Sequence, residues 1–520
     1  MISQKLFLVV LSVVCVCFLV SPVSGFSLIS SERVSGSLVE GDLDPLVDLS
    51  VTVTIQAIRS LEKLDQQIPA IEKIDWFSDP DFYVVVYIDG EKFTSPVWKN
   101  TKYLYDLNWS ATLNVPDDQD WVSVDIELWD WNVGVDRLCD ISNVNAELRK
   151  RNNSDANLLY NLRSGHWYVD DSLVMDWMFD ESGYGRLNGC DDGSFYQRDL
   201  DCELWFDISQ NDFDNDGIPY WAEVNVYGTD PMVDNRGEDN DGDGVPIEWE
   251  HKWGHYLTYD YVNDSIGFAW EYTDFVWDDH RSLDPDNDGL DNYEEYLTSQ
   301  WGSDPFRKDL FVELDQMDQS PDGFRQDLPV GAQELIRTAF DRRNIVFHLD
   351  DGSMGGGETI PFQAMVNRSI LVDDIYWNYF LHGNTSNWRR GVFHYGVVVY
   401  QADYNGYTYL PDAFQISSYG LETNKTKPKT GWKRDIVFGS AYMHELGHTL
   451  GFDPIGGHDE ASKYPWQLSW WKWRPYKSIM NYGYMYKMVD YSDGSRGKND
   501  FNDWSPDRLD LTFFQREDWG

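Results

Sequence analysis

The sequence predicts a multidomain protein: an all-β sandwich first, a linker of repeated acidic loops next, and an α/β domain last. Three patterns lead to this prediction. Short β-branched and aromatic runs fill residues 46–209, an acidic loop recurs in residues 210–305, and residues 306–520 combine apolar strands with helical periodicity. With 520 residues, the chain is long enough for several hydrophobic cores.

The composition is strongly acidic and rich in aromatic residues. The chain has 89 Asp and Glu against 41 Lys and Arg, a formal net charge of −48, and 16% of its residues are aromatic. This charge argues against nucleic acid as a partner, because little basic surface remains to displace phosphate counterions. The aromatic content favours globular, β-rich packing over disorder.

Residues 1–25 have the pattern of a secretory signal peptide. Lys5 precedes an apolar run from Leu6 to Val20, and small residues ending at Gly25 offer a cleavage site. An uncleaved membrane anchor is the alternative, although the run is short for a membrane span. We expect an exported protein, either secreted or held at the cell surface. One disulfide with three alternative pairings is open to the remaining cysteines, Cys139, Cys190 and Cys202.

Residues 46–209 have the strand spacing of an antiparallel sandwich. Residues 51–55, 83–88, 122–129 and 202–207 are β-branched or aromatic runs with turn residues between them. Residues 143–198 are too long for a sandwich loop, so we expect them to form an insertion.

Aspartates flank two predicted loops of this sandwich. Asp75 and Asp81 bracket the loop before the strand at 83–88, and Asp130 and Asp136 follow the strand at 122–129. The arrangement resembles a C2-like domain, whose calcium sites draw Asp residues from two loops at one end. The resemblance implies that these four residues bind calcium and that the domain contacts a surface or membrane when calcium is bound. The alternative is that the four aspartates only form turns.

The acidic loop in residues 210–305 has the pattern D-x-D-x-D-G with Glu at position twelve. Calcium takes six to eight oxygens at about 2.3–2.6 Å, and this spacing wraps one loop around one ion. Gly at position six permits the sharp turn, the carbonyl of position seven adds a ligand, and the Glu binds through both oxygens. The predicted ligands are Asp212, Asp214, Asp216, Ile218 and Glu223; Asp239, Asp241, Asp243, Val245 and Glu250; and Asp284, Asp286, Asp288, Leu290 and Glu295.

The three loops are not predicted to be paired EF-hands, because the first follows a strand and no clear helix enters the others. Two of them lead into short helices and then into Gly228–Pro231 and Gly302–Pro305. This order resembles thrombospondin type 3 or dockerin-like calcium repeats, in which the ion replaces a hydrophobic core. The resemblance implies a stiff spacer that calcium stabilises.

The segment 442–451 has the spacing of a metal site on a helix. His444 and His448 project from one face one turn apart, with Cβ atoms about 5–6 Å from each other. Two such imidazoles can bind one zinc ion at about 2.0–2.1 Å. Glu445 can then take a proton from a water molecule whose pKa zinc lowers to about 7. A chance match on a surface helix is disfavoured by a predicted buried face of Phe438, Tyr442, Leu446 and Leu450.

Residues 478–482 read Ser-Ile-Met-Asn-Tyr and follow this helix. Together with His-Glu-x-x-His-x-x-Gly, they resemble the Met-turn of the metzincin zinc proteases. The resemblance implies that Met480 forms a floor under the metal and that Tyr482 lies beside it and stabilises the oxyanion. It also implies, for residues 306–520, a mixed sheet with a helix behind it and the zinc helix beneath it. We expect residues 394–400 to form the strand that edges the cleft.

The third zinc ligand departs from the metzincin pattern. The family has its third histidine six residues after the second, where this chain has Pro454, which cannot bind a metal. Gly456 and Gly457 free the backbone to bring the next residue close, which favours His458. The alternatives are Asp459 and Asp453, since an anionic oxygen also suits zinc.

These patterns predict an exported zinc endopeptidase that is stabilised by calcium and acts on proteins or peptides. The alternative is a non-catalytic, calcium-dependent surface or adhesion protein whose zinc helix is vestigial. Zinc content and casein hydrolysis with and without a chelator discriminate between the two. The substrate, the cleavage preference and the mode of activation lie beyond the sequence.

Overall fold

The computed structural model describes residues 42–61, 79–142, 155–169, 185–190, 200–260, 265–270, 276–424, 432–452, 456–458 and 464–515. The predicted signal peptide lies outside these residues. From residue 43 onward the described chain belongs to one compact unit. In the part of the chain that is described, no helix combines the length and the apolar character needed to cross a membrane.

Two antiparallel sheets form the N-terminal sandwich, as predicted. One sheet has the order β10-β11-β1-β4 with β5 also paired to β1, and the other has the order β3-β2-β6-β8-β9 with β7 paired to β6. The strands are β1 (Ser50–Ser60), β2 (Phe82–Ile88), β3 (Glu91–Thr94), β4 (Tyr103–Leu104), β5 (Trp109–Asn114), β6 (Trp121–Asp130), β7 (Arg137–Cys139), β8 (Ala156–Asn161), β9 (His166–Val169), β10 (Arg186–Asn188) and β11 (Cys202–Gln210).

Alternation along the strands explains this sandwich. In β6 every second residue is buried, from Val122 to Leu128, so that one face of the strand lies in the shared core. The expectation that residues 143–198 form an insertion is wrong for β8, β9 and β10, which pair within the two sheets. These strands are only three to six residues long, which is too short for a strong periodic signal. Cys139, Cys190 and Cys202 are buried, and no disulfide joins these three described residues.

The repeat region begins directly at the end of β11. Its elements are α1 (Tyr220–Ala222, continued as a π-helical turn Glu223–Tyr227), α2 (Ile247–Trp253), the hairpin β12 (His255–Asp260) and β13 (Ser265–Trp270), and α3 (Asn292–Thr298). Two small apolar clusters lie beside the loops, one around Ile218 and Ile247 and one around Val245 and Trp249. The first two loops therefore each contribute to a small core, whereas Leu290 of the third loop joins a core of the C-terminal sheet.

The repeats pack against the domains on both sides. Nε2 of His166 in β9 lies 2.7 Å from the carbonyl oxygen of His251 in α2. On the other side, the ammonium of Lys308 donates to the carbonyl oxygens of Asp286 and Asn287 at 2.6 and 2.9 Å. The region therefore makes direct hydrogen bonds to both of its neighbours.

The C-terminal region contains a mixed sheet of mainly parallel strands in the order β15-β14-β17-β19-β18, with β16 also paired to β14. All pairs are parallel except β18 with β19. The strands are β14 (Asp309–Met317), β15 (Val346–Asp350), β16 (Thr359–Ile360), β17 (Phe393–Val399), β18 (Gly406–Leu410) and β19 (Ala413–Ser417).

The prediction that residues 394–400 edge the cleft is wrong. They form β17, which lies between β14 and β19 and is buried at every position. The outer strand is β18, whose residues are mostly half-buried. A continuous apolar run such as Val397–Val399 is typical of a central parallel strand, whereas the more polar β18 sits at the edge.

Helices cover both faces of this sheet. The helices of the C-terminal region are α4 (Val330–Asp341), α5 (Arg368–Ile370, continued as a π-helix Leu371–Phe380), α6 (Arg389–Val392), α7 (Ser418–Asn424), α8 (Trp432–Thr449) and α9 (Leu468–Trp473). Helices α4 and α8 share one hydrophobic core with the sheet, and the π-helix contributes to a second core. This arrangement agrees with the expected helix behind the sheet and histidine-bearing helix beneath it.

A buried ionic network joins the sandwich to α4. Arg59 in β1 is paired with Asp341, with Glu334 at 3.1 Å and with Glu203 of β11 at 3.5 Å. Arg186 pairs with the same Glu203. These groups are almost fully buried, and a buried charge is tolerated only when it is paired and hydrogen-bonded. The network therefore holds the sandwich against the α/β region in one arrangement.

Candidate metal centres

Helix α8 presents His444 and His448 on one face, with their ring centroids 5.1 Å apart. The helix ends at Gly451, whose φ of +84° turns the chain back. The N–H of Phe452 then donates to the carbonyl oxygen of Gly447 at 3.0 Å and closes the helix end. The face that anchors α8 is buried, as predicted, and consists of Phe438, Tyr442, Leu446 and Leu450.

Two backbone carbonyls select the tautomers of these histidines. Nδ1 of His444 lies 2.9 Å from the carbonyl oxygen of Ile479, and Nδ1 of His448 lies 2.8 Å from that of Phe452. A carbonyl oxygen only accepts, so each Nδ1 carries the hydrogen and the metal-binding nitrogen is Nε2. Metal-ligating histidines commonly donate their other N–H in this way.

His458 completes a triangle of imidazoles. Its ring centroid lies 5.1 Å from that of His444 and 5.3 Å from that of His448, and ligand atoms of all three lie within 4.8 Å of one another. The close approach depends on Gly456, where an added Cβ would lie 2.2 Å from the Trp473 ring. The competing candidates Asp453 and Asp459 lie outside the described residues. Three imidazoles, two of them with oriented Nδ1–H groups, fit a zinc ion.

The turn that carries Met480 lies directly against α8. Met480 is buried, and an added Cβ on Gly447 would lie 3.0 Å from its sulfur. The side-chain amide of Asn481 donates to the carbonyl oxygens of Trp473 and Tyr476 at 3.0 and 2.7 Å, which holds the turn in place. The sulfur of Met480 thus lies against α8 at Gly447, next in sequence to His448.

Tyr482 is more exposed and lies beside the histidines. Its ring centroid is 5.6 Å from that of His444 and 4.5 Å from that of His458. About one third of the residue is accessible. The phenol can therefore reach a molecule bound at the histidine triangle.

Glu445 is buried between α8 and the edge strand β18. The hydroxyl of Thr408 donates to the backbone carbonyl oxygen of Glu445 at 3.0 Å and lies 3.3 Å from its carboxylate. Burial raises the pKa of Glu445 to about 8, and the Thr408 contacts oppose this rise. Gly406 makes the approach possible, because an added Cβ there would lie 2.2 Å from the carboxylate.

A small cleft opens beside the same edge strand. Tyr404 and Tyr407 line it from the sheet side, and Arg368 and Leu371 line it from α5 and its π-helical continuation. Arg368 also donates to the carbonyl oxygen of Tyr409 at 3.3 Å. The cleft therefore lies next to the strand that borders Glu445.

The three acidic loops share one backbone pattern. The N–H of the position-six Gly donates to the first Asp of its loop, at 3.3 Å in the first loop and 3.1 Å in the others. The N–H of the position-seven residue donates to the fifth-position Asp at 2.7–3.0 Å. The residues at position six adopt positive φ, as predicted: Gly217, Gly244 and Gly289.

The carboxylates of these loops converge on points where a cation would fit. Asp214, Asp216 and Glu223 have ligand atoms within 4.8 Å of one another, as do the aspartates of the second loop and those of the third. Neither carboxylate oxygen of the buried Glu295 has a hydrogen-bond donor in bonding geometry. Burial, then Asp288, raises the pKa of Glu295. Inward-facing, repelling oxygens of this kind fit calcium.

Several solved structures are similar to about a third of this chain. The chain is similar over 31% of its length to a C2 domain, at 10% identity and TM-score 0.18. The match covers 98% of the C2 domain chain. It is similar over 31% to a C2 domain protein from Ramazzottius varieornatus, at 11% identity and TM-score 0.18, covering 87% of that chain. Human GIVD cytosolic phospholipase A2 is similar to 31% of this chain, at 14% identity and TM-score 0.17. The match covers only 17% of the phospholipase chain. No protein-family model and no curated protein matches this chain.

The described aspartates of the sandwich accept hydrogen bonds from neighbouring groups of the protein. Asp130 is fully buried, and its carboxylate accepts from Arg137 at 2.7 Å and from the N–H of Asp81 at 3.1 Å. Asp136 accepts from Tyr83 at 3.1 Å and from the N–H of Asn132 at 2.9 Å. The guanidinium of Arg137 thus neutralises Asp130 where the resemblance implies calcium, and Asp75 lies outside the described residues.

Sequence reasoning missed His280, which the fold brings to the second loop. Nε2 of His280 lies 3.2 Å from the carboxylate of Asp243 and 3.7 Å from that of Glu250. Asn292 holds the other side of the ring, at 3.2 Å from Nδ1. His280 has no ligand spacing to its neighbours in the sequence. Its position just before the third loop is the one sequence feature that could have suggested it.

Proposed function

We propose that the chain is a zinc-dependent endopeptidase of metzincin type, stabilised by calcium. One observation carries the proposal: the near-equilateral triangle of His444, His448 and His458, with Glu445 beside it. The sulfur of Met480 under α8 and the ring of Tyr482 beside the triangle support it. A vestigial site would not need to retain both the oriented Nδ1–H groups and a buried carboxylate.

The residues of this chain divide the work of peptide hydrolysis. When bound, zinc supplies a Lewis acid that polarises the scissile carbonyl and lowers the pKa of a water molecule. The Glu445 carboxylate takes the proton of that water and returns it to the leaving amine. Thr408 orients Glu445 through its hydroxyl, and Tyr482 donates a hydrogen bond to the carbonyl oxygen as its negative charge develops.

The edge strand β18 supplies a place for an extended substrate. In the described sheet it pairs only with β19, so its outer edge can take a peptide by strand addition. A peptide bound there runs past Gly406 and Glu445, and the cleft lined by Tyr404 and Tyr407 can receive one of its side chains.

The test replaces the base and keeps the metal. Glu445→Gln should lower turnover of a protein substrate by about 10²–10⁴-fold, the usual contribution of a general base, while one equivalent of zinc remains bound. Glu358→Gln, a half-exposed glutamate outside the site, is the matched control. Equal turnover by Glu445→Gln and wild type would refute the mechanism, and absence of zinc from the wild type would refute the assignment.

The sandwich supports a second, separate proposal of calcium-dependent contact with a lipid surface. In the loop after β6, Val133 and Val135 are 94% and 81% exposed and follow the partly exposed Trp131. Apolar side chains on a loop tip are suited to insertion between lipid headgroups. Val133→Ser with Val135→Ser should then reduce calcium-dependent binding to vesicles. The absence of a calcium-induced increase in binding, or an equal increase for the variant, would contradict this proposal.

A further inference from the structure

The segment between the third histidine and the Met480 turn exposes an unusual amount of apolar surface. The residues that we call the aromatic face point into solvent on α9 and the chain just before it. Their exposed fractions are 51%, 77%, 89% and 57% for Tyr464, Trp466, Leu468 and Trp471, respectively. Clustered apolar exposure of this kind on a folded protein marks an interaction site.

This surface is held in place by the fold. The Trp471 indole donates to the carbonyl oxygen of Pro465 at 2.6 Å, which ties the two ends of the segment together. Tyr464 and Trp466 stack with centroids 4.5 Å apart. Beneath them, Trp473 is buried against Gly456, next to His458. The exposed side chains are therefore preorganised and lie on the segment that supports the histidine triangle.

The charge around the aromatic face is opposite to that of the protein as a whole. Residues 461–489 contain five Lys or Arg and no Asp or Glu, in a chain with 89 acidic residues. Lys472, Arg474 and Lys487 are exposed in this segment. The guanidinium of Arg474 lies 5.3 and 5.8 Å from the ring centroids of Trp470 and Trp471. Cations thus accompany the exposed indoles.

We propose that the aromatic face docks on an anionic lipid surface, an interaction beyond the proposed peptidase function and independent of it. Exposed Trp, Tyr and Leu next to Lys and Arg are the combination that enters the headgroup region of such a surface. A side chain as exposed as Leu468 protrudes, as insertion requires, and does not line a groove for a peptide. In a chain with a net charge of −48, a segment without acidic residues is the part that anionic lipid repels least.

The test measures binding of the full chain to vesicles, with Val133→Ser and Val135→Ser introduced to remove the sandwich loop. The protein, with calcium and zinc present, is floated with phosphatidylcholine vesicles and with vesicles that contain 30% phosphatidylglycerol. Trp466→Ser with Leu468→Ser removes the exposed apolar groups, and Lys472→Gln with Arg474→Gln removes two charges. Trp277→Ser is the matched control, because Trp277 is 59% exposed but precedes two aspartates.

We expect at least tenfold stronger binding to the anionic vesicles than to the neutral ones. The apolar variant should lose at least tenfold in binding to anionic vesicles, the charge variant should lose the preference for anionic lipid, and Trp277→Ser should bind as its parent does. Absence of binding by the parent, or unchanged binding by both variants, overturns the proposal. If the parent does not bind vesicles and the variants lose kcat/KM on a soluble peptide, the face is a peptide site and the lipid proposal is overturned. Vesicle binding is measured separately from peptide hydrolysis. The result can therefore be interpreted even if the protein proves not to be a peptidase.

Discussion

Gly447 and Met480 are in such close contact that an added Cβ on the glycine would lie 3.0 Å from the methionine sulfur. The same Cβ would lie 2.8 Å from the Phe452 ring and 2.9 Å from the hydroxyl of Tyr491. The turn that carries Met480 also supplies the Ile479 carbonyl, which accepts from Nδ1 of His444. Packing at Gly447 and the orientation of a metal ligand are therefore linked.

Gly447→Ala should weaken zinc binding without removing any ligand. The added methyl displaces the turn and its carbonyl, and loss of such an outer contact typically costs about 10–100-fold in metal affinity. Competition with a chromogenic chelator measures the change. Gly439→Ala on the same helix is the control, because its Cβ would meet Val489 at 3.1 Å and the backbone oxygen of Ala332 at 3.3 Å and would not meet Met480. Equal zinc affinity for both variants would contradict the link.

His458→Ala should abolish stoichiometric zinc binding, because two imidazoles and water hold the ion poorly. Metal analysis after dialysis gives the zinc content directly. His382→Ala is a suitable control, since that histidine is half-exposed and lies 4.0 Å from Glu358, which is outside the histidine triangle. A His458→Ala protein that retains one zinc per chain would transfer the ligand role to Asp459 or Asp453, and zinc analysis of Asp459→Asn would then separate these two.

Removal of calcium with a calcium-selective chelator should lower the melting temperature while zinc stays bound. Each site filled at one hundred times its Kd stabilises the fold by about 2.7 kcal/mol. Glu295→Gln should reduce the calcium-induced rise in Tm, because its buried carboxylate lies close enough to Asp288 and Asp286 of the third loop to be repelled by them. Glu238→Gln, an exposed carboxylate outside the predicted ligand positions, should not. A melting curve that is insensitive to the chelator would exclude calcium as a stabilising ion.

In the chelator, stability should fall as the pH rises. Burial, then Asp216 and Asp214, raises the pKa of Glu223 from 4.5 to about 8. Between these values the folded state holds more protons than the unfolded state, so the free energy of unfolding decreases with pH. Urea midpoints at pH 5 and pH 8 measure this trend, and calcium should remove it because the ion neutralises the same oxygens. A higher urea midpoint at pH 8 than at pH 5 in the chelator would contradict this prediction.

What the sequence could predict was local. His444, Glu445 and His448 lie within one turn of a helix, and each acidic loop places its predicted ligands within twelve positions, so chain geometry alone specifies them. The strands β1, β2, β6 and β11 were likewise long enough to show their alternation.

What it could not predict depends on distant parts of the chain. His280 reaches the second loop only because the chain returns to it, and Arg137 meets Asp130 only once β7 pairs with β6. The edge position of β18 follows from strand order, which periodicity does not encode. Met480 and Tyr482 were singled out only because residues 478–482 resemble a family pattern. Their spacing in the sequence alone does not place them near the histidines.

The pairing of Arg59 with Asp341 also bears on the order in which the chain can mature. These residues are 282 positions apart, so a chain emerging residue by residue exposes the arginine long before its main partner exists. Contacts of such sequence separation form late, because the intervening chain must first be closed into a loop. The contact between the sandwich and α4 is therefore completed only after both have been synthesised. An isolated fragment starting at residue 306 would leave Asp341 without Arg59, whereas Glu334 would keep its pairing with Arg337 at 3.2 Å.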